Sequence, residues 1–327
     1  MQMDLLINSS TDPAFNLALE ETLAAEYPDE FFMLWRNANA IIVGRNQNTA
    51  AEIDAGAVRE LGVRVVRRVT GGGAVYHDLG NINYTVARDG RRLTQPSFAE
   101  CAGPVVAALK RLGIPAEFSG RNDIIVNDRK VSGSARSVVG SRTLFHGTML
   151  FDVDLGILGR VLKPDESKIR AKGIKSVRSR VMNLKELFPA WSVDDFHAAL
   201  QNALMAELGL AAVSPIPEEF IRRAEALADQ RYRTWEWNCG SAYPYEFNRK
   251  QRFAGGSVEL SAQVENNRVA ALTLRGDFFG DAPAEELAAQ LVGCLFRPDA
   301  VRQRLAGLDL ARYMHGITAE ELASLFE

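Results

Sequence analysis

The chain has 327 residues, of which 47% are hydrophobic and 24% charged, and a formal net charge of −3. This composition is typical of a globular protein with a sizeable core, and the small charge gives no overall attraction to nucleic acid or membranes. No run of about 20 apolar residues predicts a membrane span. The first residues lack the features of a secretory signal. We therefore expect a cytoplasmic protein that binds neither nucleic acid nor membrane.

The cysteines predict no disulfide framework and no structural zinc site. Cys101, Cys239 and Cys294 are odd in number, far apart, and include no Cys-x-x-Cys pair. Cys101 falls within the apolar pattern of a predicted helix, so we expect it in the core. Neither an HExxH motif nor a carboxylate cluster is present, so we expect no fixed metal site.

Short strands and helices are interspersed along the first two thirds of the chain. The first strand is predicted at 5–7, and Ser10 or Thr11 is predicted to cap the helix whose first turn holds Pro13. Further strands are predicted at 31–35, 40–43, 63–69, 81–87, 123–126 and 144–153. Further helices are predicted at 54–61, 97–112, 181–188, 193–208 and 217–229. This order favours an α/β or α+β fold, with helices packed on a mixed sheet.

The pattern changes at about residues 231–250, where two tryptophans and several turn-forming residues interrupt it. Beyond this region, strands at 256–265 and 268–274 are predicted to form a hairpin through Asn266-Asn267. Helices are predicted near 283–292, 298–305 and 317–326. We therefore expect a large domain at 1–246 and a small α/β domain at 247–327.

A glycine-rich segment at 67–78 is the most informative part of the sequence. A predicted strand ends in Arg67 and Arg68 and runs through Thr70 into three consecutive glycines, Gly71–Gly73, with His77 shortly after. Glycines let backbone amides approach a ligand closely, and arginines at a strand end suit phosphate or carboxylate. The segment matches neither a P-loop nor a Rossmann fingerprint. It reads either as a flexible turn or as a loop that binds an anion; the arginines and His77 favour the loop.

A lysine beside small residues marks a second segment. Lys130 follows the predicted Asn127-Asp128 turn and leads a strand that contains Ser132, Gly133, Ser134 and Ala135. Small residues weaken a strand unless something packs close to them. A lone turn lysine is usually solvated, but this context favours a slender ligand with the ammonium as a point charge.

A basic stretch at 163–185 stands out in an acidic chain. Eight lysines and arginines oppose Asp165 and Glu166, which gives a local charge of about +6. Gly173 and three serines suggest a loop that closes over a polyphosphate, although a solvated charged face is the commoner meaning of such a run. The candidate nucleophiles are weak. These features favour positioning and charge stabilisation during adenylyl transfer.

Five motifs occur together in the order in which lipoate–protein ligase A has them, and the chain resembles that family over nearly its whole length. They are Arg67 to Asn81, Gly120–Asp123, Asp128–Ala135, Phe145–Thr148 and Lys172–Leu184. Trp235–Asn238 and Gly255–Leu260 also resemble the approach to the family's C-terminal accessory domain. The resemblance implies a large catalytic domain of the biotin/lipoate ligase type with a small accessory domain.

The resemblance also implies the roles of particular residues. Lys130 would be the catalytic residue, contacting both the acyl carbonyl oxygen and the α-phosphate, and Arg68 would contact the adenylate phosphate region. The lipoate loop and pocket would include Gly71, Gly72, Gly73, Ala74, Val75, Tyr76, Asn81, Asp123 and His146. The adenylate-binding loop, within Lys172 to Asn183, would use Lys172, Gly173, Ser176, Val177, Arg178 and Arg180.

The implied reaction uses ATP with Mg²⁺ to convert lipoic acid to lipoyl-AMP, and then transfers the lipoyl group to a lysine. The expected acceptors are the lipoyl domains of 2-oxoacid dehydrogenase E2 subunits and the glycine cleavage H protein. These would be transient partners of an enzyme that we expect to be monomeric. The motifs leave the preference between lipoate and octanoate open, and they identify no general base for the transfer.

Three rivals remain at this stage. An octanoyltransferase of the same fold would need a cysteine nucleophile, yet none of the three cysteines lies in the Lys130 or glycine motifs. A biotin–protein ligase would carry a Gly-Arg-Gly-Arg type of loop, which is absent. A lipoyl carrier or scaffold would leave the glycine loop, Lys130 and the basic stretch unexplained.

Overall fold

The computed structural model describes residues 3–89, 97–120, 122–162, 181–239, 247–265 and 267–326. The strands in these ranges are β1 (Met3–Ile7), β2 (Glu30–Trp35), β3 (Ala40–Val43), β4 (Arg64–Arg67), β5 (Val75–His77), β6 (Asn81–Asp89), β7 (Ala116–Ser119), β8 (Asp123–Val126), β9 (Arg129–Val139), β10 (Arg142–Leu150), β11 (Phe247–Phe253), β12 (Gly256–Glu265) and β13 (Arg268–Gly276).

The α-helices in the same ranges vary from one turn to more than four. They are α1 (Pro13–Glu26), α2 (Thr49–Glu52), α3 (Ala55–Glu60), α4 (Phe98–Arg111), α5 (Leu155–Val161), α6 (Val193–Leu208), α7 (Glu218–Leu227), α8 (Trp235–Asn238), α9 (Ala284–Leu291), α10 (Pro298–Leu305), α11 (Leu310–Tyr313) and α12 (Ala319–Ala323). Short 3₁₀ turns lie at 184–186 and 324–326, and a π-helical turn follows α7 at 228–232. No helix within the described ranges is long and apolar enough to cross a membrane.

The strands form three sheets. A seven-stranded mixed sheet has the order β1-β2-β6-β10-β9-β8-β7, with β1 and β2 parallel and the other neighbours antiparallel. A small sheet, β4-β3-β5, pairs β3 parallel to β4 and antiparallel to β5. The antiparallel sheet β11-β12-β13 belongs to the C-terminal region. The mixed sheets and interspersed helices confirm the predicted fold class.

The large sheet is covered on both faces, which explains the continuous apolar sequence of β2. Phe32 and Leu34 point into a core that includes α4 and α6, whereas Phe31, Met33 and Trp35 point into a core that includes α1 and α7. Alternate strand residues face opposite sides, so a strand buried on both sides needs apolar residues at every position. The C-terminal sheet has a separate core with α9, α10 and α12.

Two local predictions are wrong. The cap of α1 is Asp12, whose carboxylate accepts from Ala14 N at 3.1 Å, while the Ser10 hydroxyl instead accepts from Asp12 N. The helix predicted at 181–188 is only a 3₁₀ turn. Its first residues are held elsewhere, because Met182 N donates to the Lys130 carbonyl and the Asn183 side chain bonds the backbone of Val153.

Seven elements of the described ranges were not predicted: strands β5, β7 and β11 and helices α2, α5, α8 and α11. Strand β11 has four consecutive exposed residues and therefore no alternating pattern. The hairpin of β12 and β13 pairs Glu265 with Arg268, as the predicted two-residue turn requires. Asn127 and Asp128 both take positive φ in the turn before β9. Local turn chemistry was thus easier to read than the edge strands.

Candidate active site

A cavity of about 310 Å³ lies where the large sheet, the small sheet β4-β3-β5 and α1 meet. Its apolar lining includes Leu17, Trp35, Ile42 and Val75. Its polar lining includes Arg68, Gly72, Gly73, His77, Asn83, Asn122, Asp123, Lys130, Ser134, His146, Thr148, Arg252 and Asp277. A cavity of mixed character suits an amphipathic substrate with an anionic end.

Arg68 braces the loop that forms one wall of the cavity. Its guanidinium donates to Thr70 Oγ1 at 2.9 Å and to the carbonyls of Ile42, Gly71 and Gly73 at 2.7–3.1 Å. Burial lowers the pKa of Arg68 to about 10, so the group remains charged at neutral pH. The side chain thus fixes the loop and places a positive charge behind it.

Arg67, the neighbouring arginine, has a different role from the one its position suggested. It does not line the cavity, and it donates to the carbonyls of Gly44, Arg45, Gln47, Trp237 and Asn238. Burial, and next the nearby Arg275, lower its pKa to about 10. The expectation that both arginines meet a ligand is therefore wrong for Arg67, which ties β4 to α8.

The glycines make room for residues of the C-terminal region. A Cβ on Gly71 would lie 2.5 Å from the carbonyl oxygen of Phe278, and one on Gly72 would lie 2.7 Å from the Phe279 ring. Gly72 also has φ +93°, in the region that favours glycine, and its amide donates to the Phe278 carbonyl. The glycine loop therefore holds the segment after β13 close to the cavity.

Lys130 and Asp123 form an ion pair in the opposite wall, with Nζ and Oδ1 2.7 Å apart. The side chains are 37% and 36% exposed, so a ligand can reach the ammonium. They lie on the paired strands β9 and β8. A Cβ on Gly133 would lie 2.7 Å from Lys130 Nζ, so a side chain there would displace the end of the lysine. The small residues after Lys130 thus leave space for the lysine side chain itself.

A buried chain of hydrogen bonds supports the loop wall. His146 Nε2 lies 2.8 Å from Thr70 Oγ1, and its Nδ1 lies 2.8 Å from a carboxylate oxygen of Glu20. Glu20 also accepts from Thr85 at 2.6 Å, and Thr85 accepts from the Trp35 indole at 2.8 Å. Because Thr70 also accepts from Arg68, this chain links helix α1 to the glycine loop.

The structure brings eight of the eleven binding residues implied by the resemblance to the cavity: Arg68, Gly72, Gly73, Ala74, Val75, Asp123, Lys130 and His146. Gly71, Tyr76 and Asn81 do not line it. Tyr76 is buried and donates to Asn39, and Asn81 donates to Asn83. The ligand contacts that the resemblance implies for these three residues stay predictions.

Several lining residues were not singled out from the sequence. Trp35 and Ile42 lie in ordinary apolar strand patterns, so nothing local distinguishes them from core residues. Arg252, Asp277 and Phe279 come from the C-terminal region. Arg252 Nη1 lies 3.5 Å from Asp277 Oδ2, and both flank Ser257. No sequence signal connects these residues with the glycine loop about 200 positions earlier.

The residues expected in the adenylate-binding loop, Lys172, Gly173, Ser176, Val177, Arg178 and Arg180, lie outside the described residues. The chain after them is described, and it returns beside Lys130. Val181 forms a parallel bridge with Lys130, and Met182 N donates to the Lys130 carbonyl at 2.9 Å. The motif's last residues are thus fixed next to the proposed catalytic lysine.

No cysteine lines the cavity, and the described residues around it form no cluster of metal ligands. All three cysteines are described, and none lines it. Cys101 is buried in the core as expected, and burial raises the pKa of its thiol to about 11. In the described ranges, no three His, Cys, Asp or Glu side chains group closely enough to hold an ion. The described lining therefore offers charged and hydrogen-bonding side chains and no thiol.

Two family models match the chain in order. Residues 12–205 match the lipoyl protein ligase A/B catalytic domain, and residues 242–326 match the bacterial lipoate protein ligase C-terminus. Among solved structures, Plasmodium falciparum LipL1 in complex with lipoate is similar with a TM-score of 0.77 and 26% identity, covering 94% of this chain and 95% of that one. A lipoate–protein ligase A bound with ATP has a TM-score of 0.62 and 29% identity, covering 73% of this chain and 99% of that one.

Curated relatives extend the match over almost the full length. Lipoate–protein ligase 1 of Staphylococcus aureus is 37% identical over 97% of this chain and 98% of its own. The lipoate–protein ligase LplJ of Bacillus subtilis is 35% identical over 96% of each chain. These findings confirm the resemblance read from the motifs: the chain belongs to the lipoate–protein ligase family.

Proposed function

We propose that this protein activates lipoic acid with ATP and transfers the lipoyl group to a lysine of an acceptor protein. The observation that carries the proposal is the cavity, which combines apolar walls with the accessible ammonium of Lys130. The relatives bound to lipoate and to ATP support both substrates. The absence of cysteine from the cavity walls counts against the octanoyltransferase alternative.

In the first step, a carboxylate oxygen of lipoic acid attacks the α-phosphorus of ATP, and pyrophosphate leaves with the electrons of the broken P–O bond. The product is the mixed anhydride lipoyl-AMP. Lys130 would exchange Asp123 for a phosphate oxygen, since both partners are partly exposed. A fixed ammonium that stabilises charge developing on the phosphate lowers the barrier without a covalent enzyme intermediate.

In the second step, the amine of the acceptor lysine attacks the acyl carbonyl, and AMP leaves. Lys130 would again stabilise charge, now on the carbonyl oxygen and the departing phosphate. Arg68 would contribute mainly a positive field, because four of its N–H groups already bond to the glycine loop and its neighbours. Val75 and the other apolar walls would hold the lipoyl chain.

Mg²⁺ would accompany ATP rather than occupy a site built from protein ligands. This ion keeps several waters and binds substrate phosphates with one or two carboxylates. Asp123 lines the cavity and would supply such an oxygen once Lys130 turns to the phosphate. When bound, the ion would offset part of the triphosphate charge.

We also propose the biological setting. The acceptors would be lipoyl domains of 2-oxoacid dehydrogenase E2 subunits and the glycine cleavage H protein; a Thermoplasma acidophilum relative was studied together with its E2 lipoyl domain. The chain would work as a cytoplasmic monomer. It would divide at about residue 246 into a catalytic domain and an accessory domain, because the C-terminal sheet has its own core.

The test combines the purified protein with lipoic acid, MgATP and an apo lipoyl domain. Mass spectrometry should show one lipoyl addition on the acceptor lysine, with one AMP released for each addition. An acceptor with that lysine replaced by alanine is the control. Acyl transfer from a thioester donor without ATP would instead identify an octanoyltransferase. Addition of biotin in place of lipoate would identify a biotin ligase.

A further inference from the structure

A second cavity, of about 380 Å³, lies between two parts of the chain that are distant in sequence. One side is formed by the loop after β3 and by helix α8, and the other by strand β13 and helix α9. Gly276 N, at the end of β13, donates to the Asn46 carbonyl at 2.7 Å and joins the two sides. Within the described chain, the residues that line this cavity are all different from those of the first cavity.

Gln47 brings a buried hydrogen-bond donor to this second cavity. Gly44 N donates to the side-chain oxygen of Gln47 at 2.9 Å, which fixes the other end of the amide as nitrogen. The Gln47 side chain is 2% exposed, and its Nε2 has no hydrogen-bond partner among the described residues. Buried donors are rarely left without a partner, so this amide nitrogen indicates a ligand acceptor.

Arg45 adds a second buried donor beside the first. Its Nε is also buried and has no partner in the part of the chain that the structure describes. Arg45 and Gln47 both line the cavity, and both belong to the short loop after β3. Two buried donors in one wall, one of them on a cation, suit an anionic oxygen.

The charges around these donors favour an anion. Arg67 and Arg275 also line the cavity, against the carboxylates of Glu236 and Glu285. Each nitrogen of the Arg67 guanidinium donates to protein oxygens, so Arg67 contributes charge rather than a ligand contact. Burial, and next the charge of Arg275, lower the pKa of Arg67, and the opposing effect of Glu285 is smaller. The field in this wall is therefore positive, as an anion requires.

The size of the cavity indicates a ligand larger than a single ion. Its volume lies in the range of small-molecule sites. Trp235, which is 62% exposed, forms part of the lining and offers a flat apolar face beside the polar wall. This combination suits a phosphate group that carries an organic body.

We propose that the second cavity binds a phosphate group, free or as a monoester, whose oxygens accept from Gln47 Nε2 and Arg45 Nε. A bound phosphate would also offset the repulsion between Arg67 and Arg275, and so hold β13 against the loop after β3. This site lies outside the adenylation and transfer steps, and its binding can be measured without lipoic acid or an acceptor protein.

Two substitutions remove the proposed donors with little change in shape. Gln47→Glu keeps the oxygen that accepts from Gly44 but replaces the donor by a second anionic oxygen. Arg45→Met keeps an unbranched stem but removes the guanidinium. The control is Gln303→Glu, which adds the same negative charge at an exposed position of α10. Calorimetry on the full chain would measure the binding of inorganic phosphate and of AMP to each protein.

We expect Gln47→Glu and Arg45→Met each to weaken phosphate binding about tenfold or more, as for the loss of a hydrogen bond to a charged group. Gln303→Glu should stay within about twofold of the wild type. Tighter binding of AMP than of phosphate would identify a nucleotide as the source of the phosphate group, and equal binding a free phosphate. Either result supports the site. No saturable binding of either by the wild type up to about 10 mM would overturn the proposal.

Lys130→Ala separates the two cavities. This variant should bind phosphate as the wild type does, because Lys130 lines only the first cavity. Phosphate binding that is lost in Lys130→Ala and kept in Gln47→Glu would assign the anion to the first cavity and overturn the proposal.

A second measurement needs no variant and therefore does not depend on whether Gln47→Glu folds. Tungstate is a tetrahedral oxyanion whose position can be found by anomalous diffraction from crystals of the wild type. We expect an anomalous peak between Gln47 and Arg45. Peaks confined to other parts of the protein would contradict the site.

Discussion

Two side-chain contacts that each involve a carboxylate lie at the same cavity but differ in exposure. The Lys130–Asp123 pair is more than one third exposed on each side, whereas His146 and Glu20 are 10% and 1% exposed. An exposed pair contributes little stability and can exchange partners, while a buried one is expensive to break. The first contact therefore suits chemistry, and the second suits the shape of the site. Substitutions at each contact can test this difference in role.

The largest effect is expected for Lys130→Ala. Removing the ammonium should lower the rate of lipoyl-AMP formation about 100- to 1000-fold, as for the loss of a single group that stabilises transition-state charge. The free energy of unfolding should change by less than about 1 kcal/mol, because the ion pair is exposed. Pyrophosphate release and chemical denaturation measure the two quantities.

Lys110→Ala is the matched control, since this lysine lies exposed near the end of α4. It should leave both the rate and the stability unchanged. Full adenylation by Lys130→Ala would show that the lysine is only a surface residue beside the cavity. A large loss of stability in that variant would instead place Lys130 with the structural contacts.

Glu20→Ala should lower the free energy of unfolding much more than Lys130→Ala does. It leaves His146 Nδ1 and the Thr85 hydroxyl without their buried acceptor, so the free energy of unfolding should fall by about 2–4 kcal/mol. Urea denaturation measures this change. Glu60→Ala removes an exposed carboxylate paired with Arg160 and should cost at most about 1 kcal/mol. Equal costs for the two variants would contradict the distinction between the contacts.

The pH dependence of the free energy of unfolding tests the burial of His77 in the cavity wall without changing the packing there. The pKa of His77 is 6.5 for the free side chain and about 3 in the folded protein, so the unfolded chain binds the proton more tightly. The stability contributed by the neutral ring should therefore be complete above pH 6.5 and should fall as the pH decreases towards 3. The expected slope is about 1.4 kcal/mol per pH unit.

His77→Gln does not titrate in that range, so its stability should decline less steeply between pH 6.5 and 4. The difference between the two denaturation series isolates the histidine from the carboxylates, which protonate at lower pH in both proteins. Parallel curves would show that His77 is as easily protonated in the fold as in the unfolded chain.

Residues whose roles depend on local structure could be predicted from the sequence. Lys130 follows the turn formed by Asn127 and Asp128 and belongs to the contiguous motif Asp128–Ala135, so its place at the start of a strand of small residues could be predicted. The roles of Arg67 and Arg68 were harder to predict. Adjacent strand residues point to opposite sides, so Arg67 and Arg68 cannot both face one cavity, although the residue pattern suggested a ligand for both. Only the family resemblance implied the contact for Arg68 in particular.

The C-terminal contributions could not be read from the sequence. Phe279 contacts Gly72 across about 200 residues of chain, and a lone phenylalanine after a strand carries no signal of its destination. The three consecutive glycines predict a loop that approaches a ligand. Gly71 and Gly72 are also required because the segment after β13 packs against them. Long-range contacts of this kind depend on how the sheets meet, which local patterns do not encode.

Gly72→Ala tests that packing and should have the smallest effect of the four changes. Its φ of +93° and a Cβ placed 2.7 Å from the Phe279 ring together predict a loss of about 1–3 kcal/mol in the free energy of unfolding. Adding Phe279→Leu should recover the steric part but not the backbone strain. Gly103→Ala, at a helical position with nothing within 4 Å, should instead stabilise α4 by about 0.5–1 kcal/mol. If Gly72→Ala were as well tolerated as Gly103→Ala, the loop would not be held against the C-terminal segment in solution, and its glycines would then be explained by the ligand alone.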